Sequence, residues 1–348
     1  MMINIRFKSK PKNSAIIKIN ICNNLSELNF SILAFALIMF FFCQSNAQII
    51  SDSSKIRTPI NLMSINFIQK NDPFKSEINY PILAGVGLSY SYIIYQINNY
   101  YENTWWKKDS NYIYNSKFNI VNDGTYARNI DKYGHALGTA LISHFISAGF
   151  EAANIEEETC VWLGAIGGLG MQMYVEIKDG YSPIDRISGK PKWGFSPGDA
   201  VSDFLGASYF VARYYFPELN NYQLRFSYFP SKDMLDGKKP DNNFSDDYEG
   251  QKMWLSLRMK NLLPHNISEY WPSFLMLSLG YFVSGIGDYS SKKSIETYYY
   301  LAFDIDAETI PLYGNFWSFV KNTLNYIHFP MPGIQFSKNG ISLALIIY

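Results

Sequence analysis

The apolar pattern of this chain changes period once: it is helical as far as Phe216 and strand-like beyond Pro217. That change decides which layers the fold can contain. Beyond it, segments 223–228, 253–258, 274–281, 297–304 and 341–348 are short, aromatic and β-branched, with Gly, Pro, Asn and Asp clusters between them. One helix, over about 315–326, interrupts the strands. The expected fold class is α+β: a helical bundle over 81–216, then a mainly antiparallel β half over 217–348.

The helices have legible ends. Segment 81–101 is uncharged and apolar-rich and runs into aromatic residues up to Trp106. Residues 107–124 are polar, and Asn122-Asp123-Gly124 marks a turn. The next helix starts at Asp131 and reaches about Gly149, whose glycine suits a C-terminal cap. Another begins in the acidic turn Glu156-Glu157-Glu158 and runs to Lys178, before Asp179-Gly180. The last opens on Ser196-Pro197, a capping residue followed by proline at the first helical position. Gly164, Gly167, Gly168 and Gly170 leave a smooth stripe for close helix approach.

Composition narrows the class. Charged residues are 17% of the chain, below the roughly 25% of ordinary soluble domains, while 47% are hydrophobic and 17% aromatic. Large buried faces or contact with lipid would account for this. Lys plus Arg (30) balances Asp plus Glu (30), so no net charge draws the chain to nucleic acid.

The N-terminus reads as a secretory signal peptide over 1–47. Arg6, Lys8, Lys10, Lys12 and Lys18 form a basic leader, 30–42 is an apolar run, and Ser45-Asn46-Ala47 is a small-x-small cleavage site before Gln48. The run is shorter than the roughly 20 residues that span a bilayer. An uncleaved anchor, or acylation at Cys43, is the alternative; Phe42 before Cys43 does not fit a lipoprotein site. Segment 48–80 reads as an extended entry. The expected location is the periplasm, or the periplasmic face of the outer membrane, of a Gram-negative envelope. With the leader removed only Cys160 remains, which excludes an internal disulfide and a cysteine-built structural zinc site.

Polar residues interrupt the helices at chosen places. Asp131 and His135 share a face four residues apart. Gln172, Glu176 and Asp179 form a stripe at the far end of the following helix, and Asp199 and Asp203 one at the start of the next. Short connections make these helices run up, down and up, so all three patches fall at one end of the bundle. The candidate catalytic residues are Asp131, His135, Glu176 and Asp199; the candidate binding residues are Lys132, Gln172, Asp179 and Asp203. Crowded carboxylates beside an imidazole could relay a proton or accept a divalent cation, although no cofactor is called for. They could also be a buried ionic network that fixes helix register, with Lys132 and Arg186 near enough to neutralise it.

Other candidates are weaker. His144 lies in an apolar stretch and reads as a satisfied core histidine. His265 and His328 have no acidic neighbours at ligand spacing. Gly164–Gly170 lacks the Lys-Ser/Thr of a phosphate loop, and no Gly-x-Ser-x-Gly or His-Glu-x-x-His occurs. Asp304, Asp306 and Glu308 read as a solvated strand end.

The motifs Asp131-Lys132-Tyr133-Gly134-His135, Glu176-Ile177-Lys178-Asp179-Gly180, Phe195-Ser196-Pro197-Gly198-Asp199 and Asp203-Phe204-Leu205-Gly206 together resemble domain-of-unknown-function family 2279, predicted periplasmic lipoproteins. Their order is also similar to that of VanZ-like membrane proteins. Asp203 stands where those families usually carry asparagine, making the site one charge more acidic. The resemblance covers about 131–216; the β half, with Asp247-Tyr248-Glu249-Gly250-Gln251, is similar to extended members. It implies an address and supports the constellation, but implies no activity.

Two functions compete. One is a non-enzymatic envelope protein, associated with the outer membrane, whose helical half binds a ligand or an envelope lipid or protein partner. The alternating strands support membrane contact, although five strands are too few for a standard closed barrel. The other is an enzyme acting on an envelope lipid or glycan, with His135 and a carboxylate as acid and base.

Overall fold

Asn79 opens the first long helix, α1 (Tyr80–Asn103), by accepting the Ile82 N–H on its side chain, and Pro81 fits the first turn. The computed structural model describes residues 77–106, 110–113, 117–238, 244–286 and 294–347. The segment read as a signal peptide and all of the expected entry segment before Glu77 lie outside the described residues. Three further helices follow: α2 (Ile130–Ala152), α3 (Glu157–Gly180) and α4 (Pro197–Tyr215). Ser196 caps α4 by accepting the Asp199 N–H at 3.1 Å.

Glycines let these helices touch. A Cβ at Gly164 would lie 2.5 Å from the Ser143 carbonyl, and one at Gly168 would lie 3.0 Å from that of Thr139. Gly206 of α4 meets the Ala136 carbonyl in the same way. The smooth stripe on α3 is therefore selective: Gly164 and Gly168 face α2, whereas Gly170 faces open space.

The chain enters α2 through a left-handed turn. Ala127, Arg128 and Asn129 have φ of 46°, 54° and 67°, a region that L-residues with a Cβ disfavour. Tyr281 supports the turn from the β half by donating its hydroxyl to the Arg128 carbonyl at 2.6 Å.

The β half is a six-stranded antiparallel meander of β3 (Tyr222–Tyr228), β4 (Gln251–Leu257), β5 (Leu275–Ser284), β6 (Glu296–Ile305), β7 (Met331–Ser337) and β8 (Gly340–Ile347), in that order. The fold is α+β, as its periods imply. A minor pair, β1 (Tyr112–Ile113) with β2 (Ile184–Asp185), sits within the helical half. Helix α5 (Asn315–Leu324) separates β6 from β7. Strand β7 is absent from the sequence expectation because Pro332 and Gly333 break its pattern. The structure accommodates them at a register shift between Met331 and Gly333, and a Cβ at Gly333 would collide with Ala302 of β6.

The sheet is open among the described residues. The outer edge of β3 is covered by the chain after α5, where the Phe226 N–H donates to the Tyr326 carbonyl and the His328 N–H donates to that of Phe226. Strand β8 is the other edge.

Alternate residues face two environments. Met253, Leu224, Phe226 and Tyr281 pack with Ala127, Ile130, Leu137 and Ala140, so sheet and helices share a core. On the other face Trp254, Tyr300, Ala302 and Ile347 cluster above a polar floor. There Arg225 contacts Asp304 at 3.1 Å, and Asp304 also meets His328 at 2.9 Å and accepts from Ser256. Next to it Arg258 pairs with Asp306 and Glu308 at 2.7 and 2.6 Å. Asp304, Asp306 and Glu308 are thus buried, correcting the expectation of a solvated strand end. His328 likewise gains an acidic partner that sequence spacing did not show.

Candidate functional site

The polar ends of α2, α3 and α4 meet around His135. Its Nδ1 lies 3.0 Å from Asp203 Oδ1, and its Nε2 lies 3.9 Å from Asp131 Oδ1, 3.9 Å from Glu176 Oε1 and 3.7 Å from Asp199 Oδ1. The helices supply these groups for separate reasons. Asp131 follows the left-handed turn and occupies the first turn of α2, where a carboxylate suits the helix dipole. Asp199 holds the same place in α4. Glu176 lies near the C-terminus of α3, where its Oε2 accepts the Ser196 N–H at 3.0 Å.

Lys132 neutralises one side. Its Nζ is 2.6 Å from Asp199, 2.8 Å from Asp123 and 3.1 Å from Asp131. Arg186, the other cation expected to help, has no ion pair with the cluster among the described residues. On the opposite side Asp203 has no exposure; Thr139 and Gln172 donate to its Oδ1 at 3.0 and 3.4 Å, and its Oδ2 has no hydrogen-bond partner. Asp179 stands apart, accepting from Trp106 Nε1 at 2.6 Å.

Burial and charge set the protonation of the group. Burial pulls the His135 pKa down, but Asp203, Asp199 and Asp131 outweigh it and raise it to about 9. Burial pushes Glu176 up to about 8 against the Ser196 N–H and the His135 charge. Burial also lifts Asp199 to about 6 and Asp179 to about 7. Near neutral pH the imidazole is cationic and Glu176 largely keeps its proton. The basin is not sealed: the His135 side chain is 20% exposed.

Asp131, His135, Glu176 and Asp199 therefore converge, joined by Lys132, Gln172 and Asp203, while Asp179 stays apart on Trp106. Two members were not foreseen as site residues. Asp123 was read only as part of a turn, yet it holds Lys132 and accepts from Ser196 Oγ at 2.6 Å. Tyr248 reaches over from the β half and donates to Asp131 Oδ1 at 2.6 Å. Its only signal was the Asp247-Tyr248-Glu249 run. His144 is a core histidine, 3.2 Å from Thr323 Oγ1 and stacked on Phe319, with its pKa lowered to about 3 by burial.

No curated protein and no solved structure matches the chain. The helical segment 120–215, which carries every member of the cluster except Tyr248, matches domain-of-unknown-function family 2279, described as a predicted periplasmic lipoprotein.

Proposed function

We propose that this chain is a non-enzymatic binding protein of the Gram-negative envelope, associated with the periplasmic face of the outer membrane, whose helical half holds a ligand at the polar end of the bundle. The observation that carries this reading is the convergence of His135 with Asp131, Glu176 and Asp199 at 3.7 to 3.9 Å, in a basin that solvent reaches. A pure scaffold network would satisfy each carboxylate oxygen; among the described residues Asp203 Oδ2 has no hydrogen-bond partner. Apolar side chains on the outside support membrane contact: Trp162 and Ile166 on α3, Phe204 and Leu205 on α4, and Leu343 and Leu345 on β8 are all exposed.

An enzyme acting on an envelope lipid or glycan is the second reading. It draws on the Asp203–His135 pair, because an imidazolium oriented through Nδ1 presents its Nε2–H as a general acid. The groups around Nε2 are carboxylate oxygens rather than a hydroxyl or thiol nucleophile, which favours a bound cation over covalent chemistry.

The test pairs the melting temperature with the envelope phenotype of His135→Ala and Glu176→Gln. A binding site predicts near-wild-type melting with loss of phenotype. A register-fixing network predicts a large drop in melting temperature, and wild-type behaviour in both assays would dismiss both.

A further inference from the structure

Resting on that reading, we propose that the ligand is a divalent metal ion held by His135 Nε2, Asp131 Oδ1 and Asp199 Oδ1, with Glu176 Oε1 across from them. Ligand atoms of Asp131, His135 and Asp199 lie within 4.8 Å of one another, and Nε2 is 3.9 and 3.7 Å from the two aspartate oxygens. An ion about 2.0–2.2 Å from each donor needs donor separations of about 3.0–3.6 Å. Loading therefore draws Nε2 and the two aspartate oxygens closer together and displaces the Lys132 ammonium, which sits 2.6 Å from Asp199 Oδ1.

The histidine is oriented for this. Its Nδ1–H donates to Asp203 Oδ1 at 3.0 Å, which leaves the Nε2 lone pair facing the carboxylates in the neutral ring. A carboxylate behind a ligating imidazole is the arrangement that fixes the tautomer and raises ligand basicity. Asp203 is thus a positioning residue.

Asp203 also supplies an independent sign of a missing cation. Its side chain is fully buried, its Oδ2 is unpartnered, and it lies within 4.8 Å of His135 and Glu176 donor atoms. Even without Glu176, Asp123, Asp131, Asp199 and Asp203 outnumber Lys132 and His135. Lys132 serves the side of Asp123, Asp131 and Asp199, and among the described residues Asp203 has no lysine or arginine in its ion pairs. Excess negative charge out of water is costly without a counter-ion.

The donors are one imidazole and carboxylate oxygens, with no thiolate. Cys160 is buried against Ile155 near the other end of α3, about 24 Å from Glu176 along the helix axis at about 1.5 Å per residue. Such a set takes borderline or hard divalent ions, Zn2+ and Mn2+ foremost, over copper(I).

The test uses the full chain, stripped with chelator and titrated separately with Zn2+, Mn2+, Mg2+ and Ca2+ by calorimetry, with thermal melting alongside. The expected result is one Zn2+ or Mn2+ per chain, a raised melting temperature on loading, and binding weakened at least about 100-fold in His135→Ala and Asp199→Asn. Asp203→Asn should weaken it about 10- to 100-fold, and His265→Ala should leave it unchanged. Should the ligand variants fail to fold, X-ray absorption of Zn2+ on the wild-type chain decides: a nitrogen/oxygen shell with one imidazole supports the site, and a thiolate shell overturns it. No saturable uptake by the wild type, or equal uptake by folded His135→Ala, also overturns it. If uptake fails while folded His135→Ala still loses the envelope phenotype, the metal falls and the binding reading stands; if the phenotype is also intact, both fall.

Discussion

Glu151, on α2 away from its polar end, carries a pKa raised to about 7 by burial, against the hydrogen bond from Ser147 Oγ. A carboxyl that binds its proton more tightly folded than unfolded leaves stability intact below the unfolded value of about 4.3, and lowers it as pH climbs through 7. The loss attributable to this residue is on the order of 3 kcal/mol by pH 8, at about 1.4 kcal/mol per unit. Glu151→Gln should therefore flatten the fall in urea midpoint between pH 5 and pH 8 relative to wild type; an unchanged slope would remove the effect. Backbone strain gives a second residue-scale expectation. Arg128 holds φ 54° and ψ 35°, which costs a residue with a Cβ about 1–2 kcal/mol. Arg128→Gly should raise the urea midpoint by the equivalent of about 1 kcal/mol, because Tyr281 bonds the backbone carbonyl, which the substitution keeps. None of this strain was legible: Thr125 to Asn129 contains no glycine to mark a left-handed turn.

At the scale of elements, the polar floor of the sheet is the vulnerable part. Arg225 on β3 and Asp304 on β6 have no exposure and depend on each other and on His328. Asp304→Ala would strand a guanidinium in the core and should cost about 3–5 kcal/mol in denaturant unfolding; a loss below about 1 kcal/mol would show that water reaches the floor. The strands themselves were legible, because alternation and turn residues are local signals. The floor was not, because Arg225, Asp304 and His328 meet only after β4 and β5 are laid between β3 and β6, and spacing along the chain carries no trace of that. The same limit hid β7, whose glycine answers to Ala302 on the neighbouring strand rather than to its own segment. Helix contacts were half legible: small residues on α3 announced close packing, but only the fold shows that Gly164 and Gly168 meet α2. Gly168→Leu should accordingly lower the melting temperature far more than Gly170→Leu, which faces open space.

Over the whole molecule, the site was readable as a convergence of helix ends because short connections force antiparallel neighbours, and Asp131, His135, Glu176 and Asp199 do meet. What connectivity could not supply was the contribution from outside the bundle. Membrane association has a test at this scale: the chain should sediment with membranes, and Phe204→Ser combined with Ile166→Ser should shift it toward the soluble fraction with melting unchanged. A chain that is soluble in wild-type form would withdraw the lipid contact. The hydroxyls of Tyr248 and Tyr281, reaching from the β half to Asp131 and to the turn before α2, bear on inheritance as well. A piece ending at Tyr215 would keep the carboxylates and the imidazole and lose the two props that set the entry into α2. The helical segment is thus no portable cassette: grafted elsewhere, it would need new neighbours to impose the same handedness on residues 127 to 129.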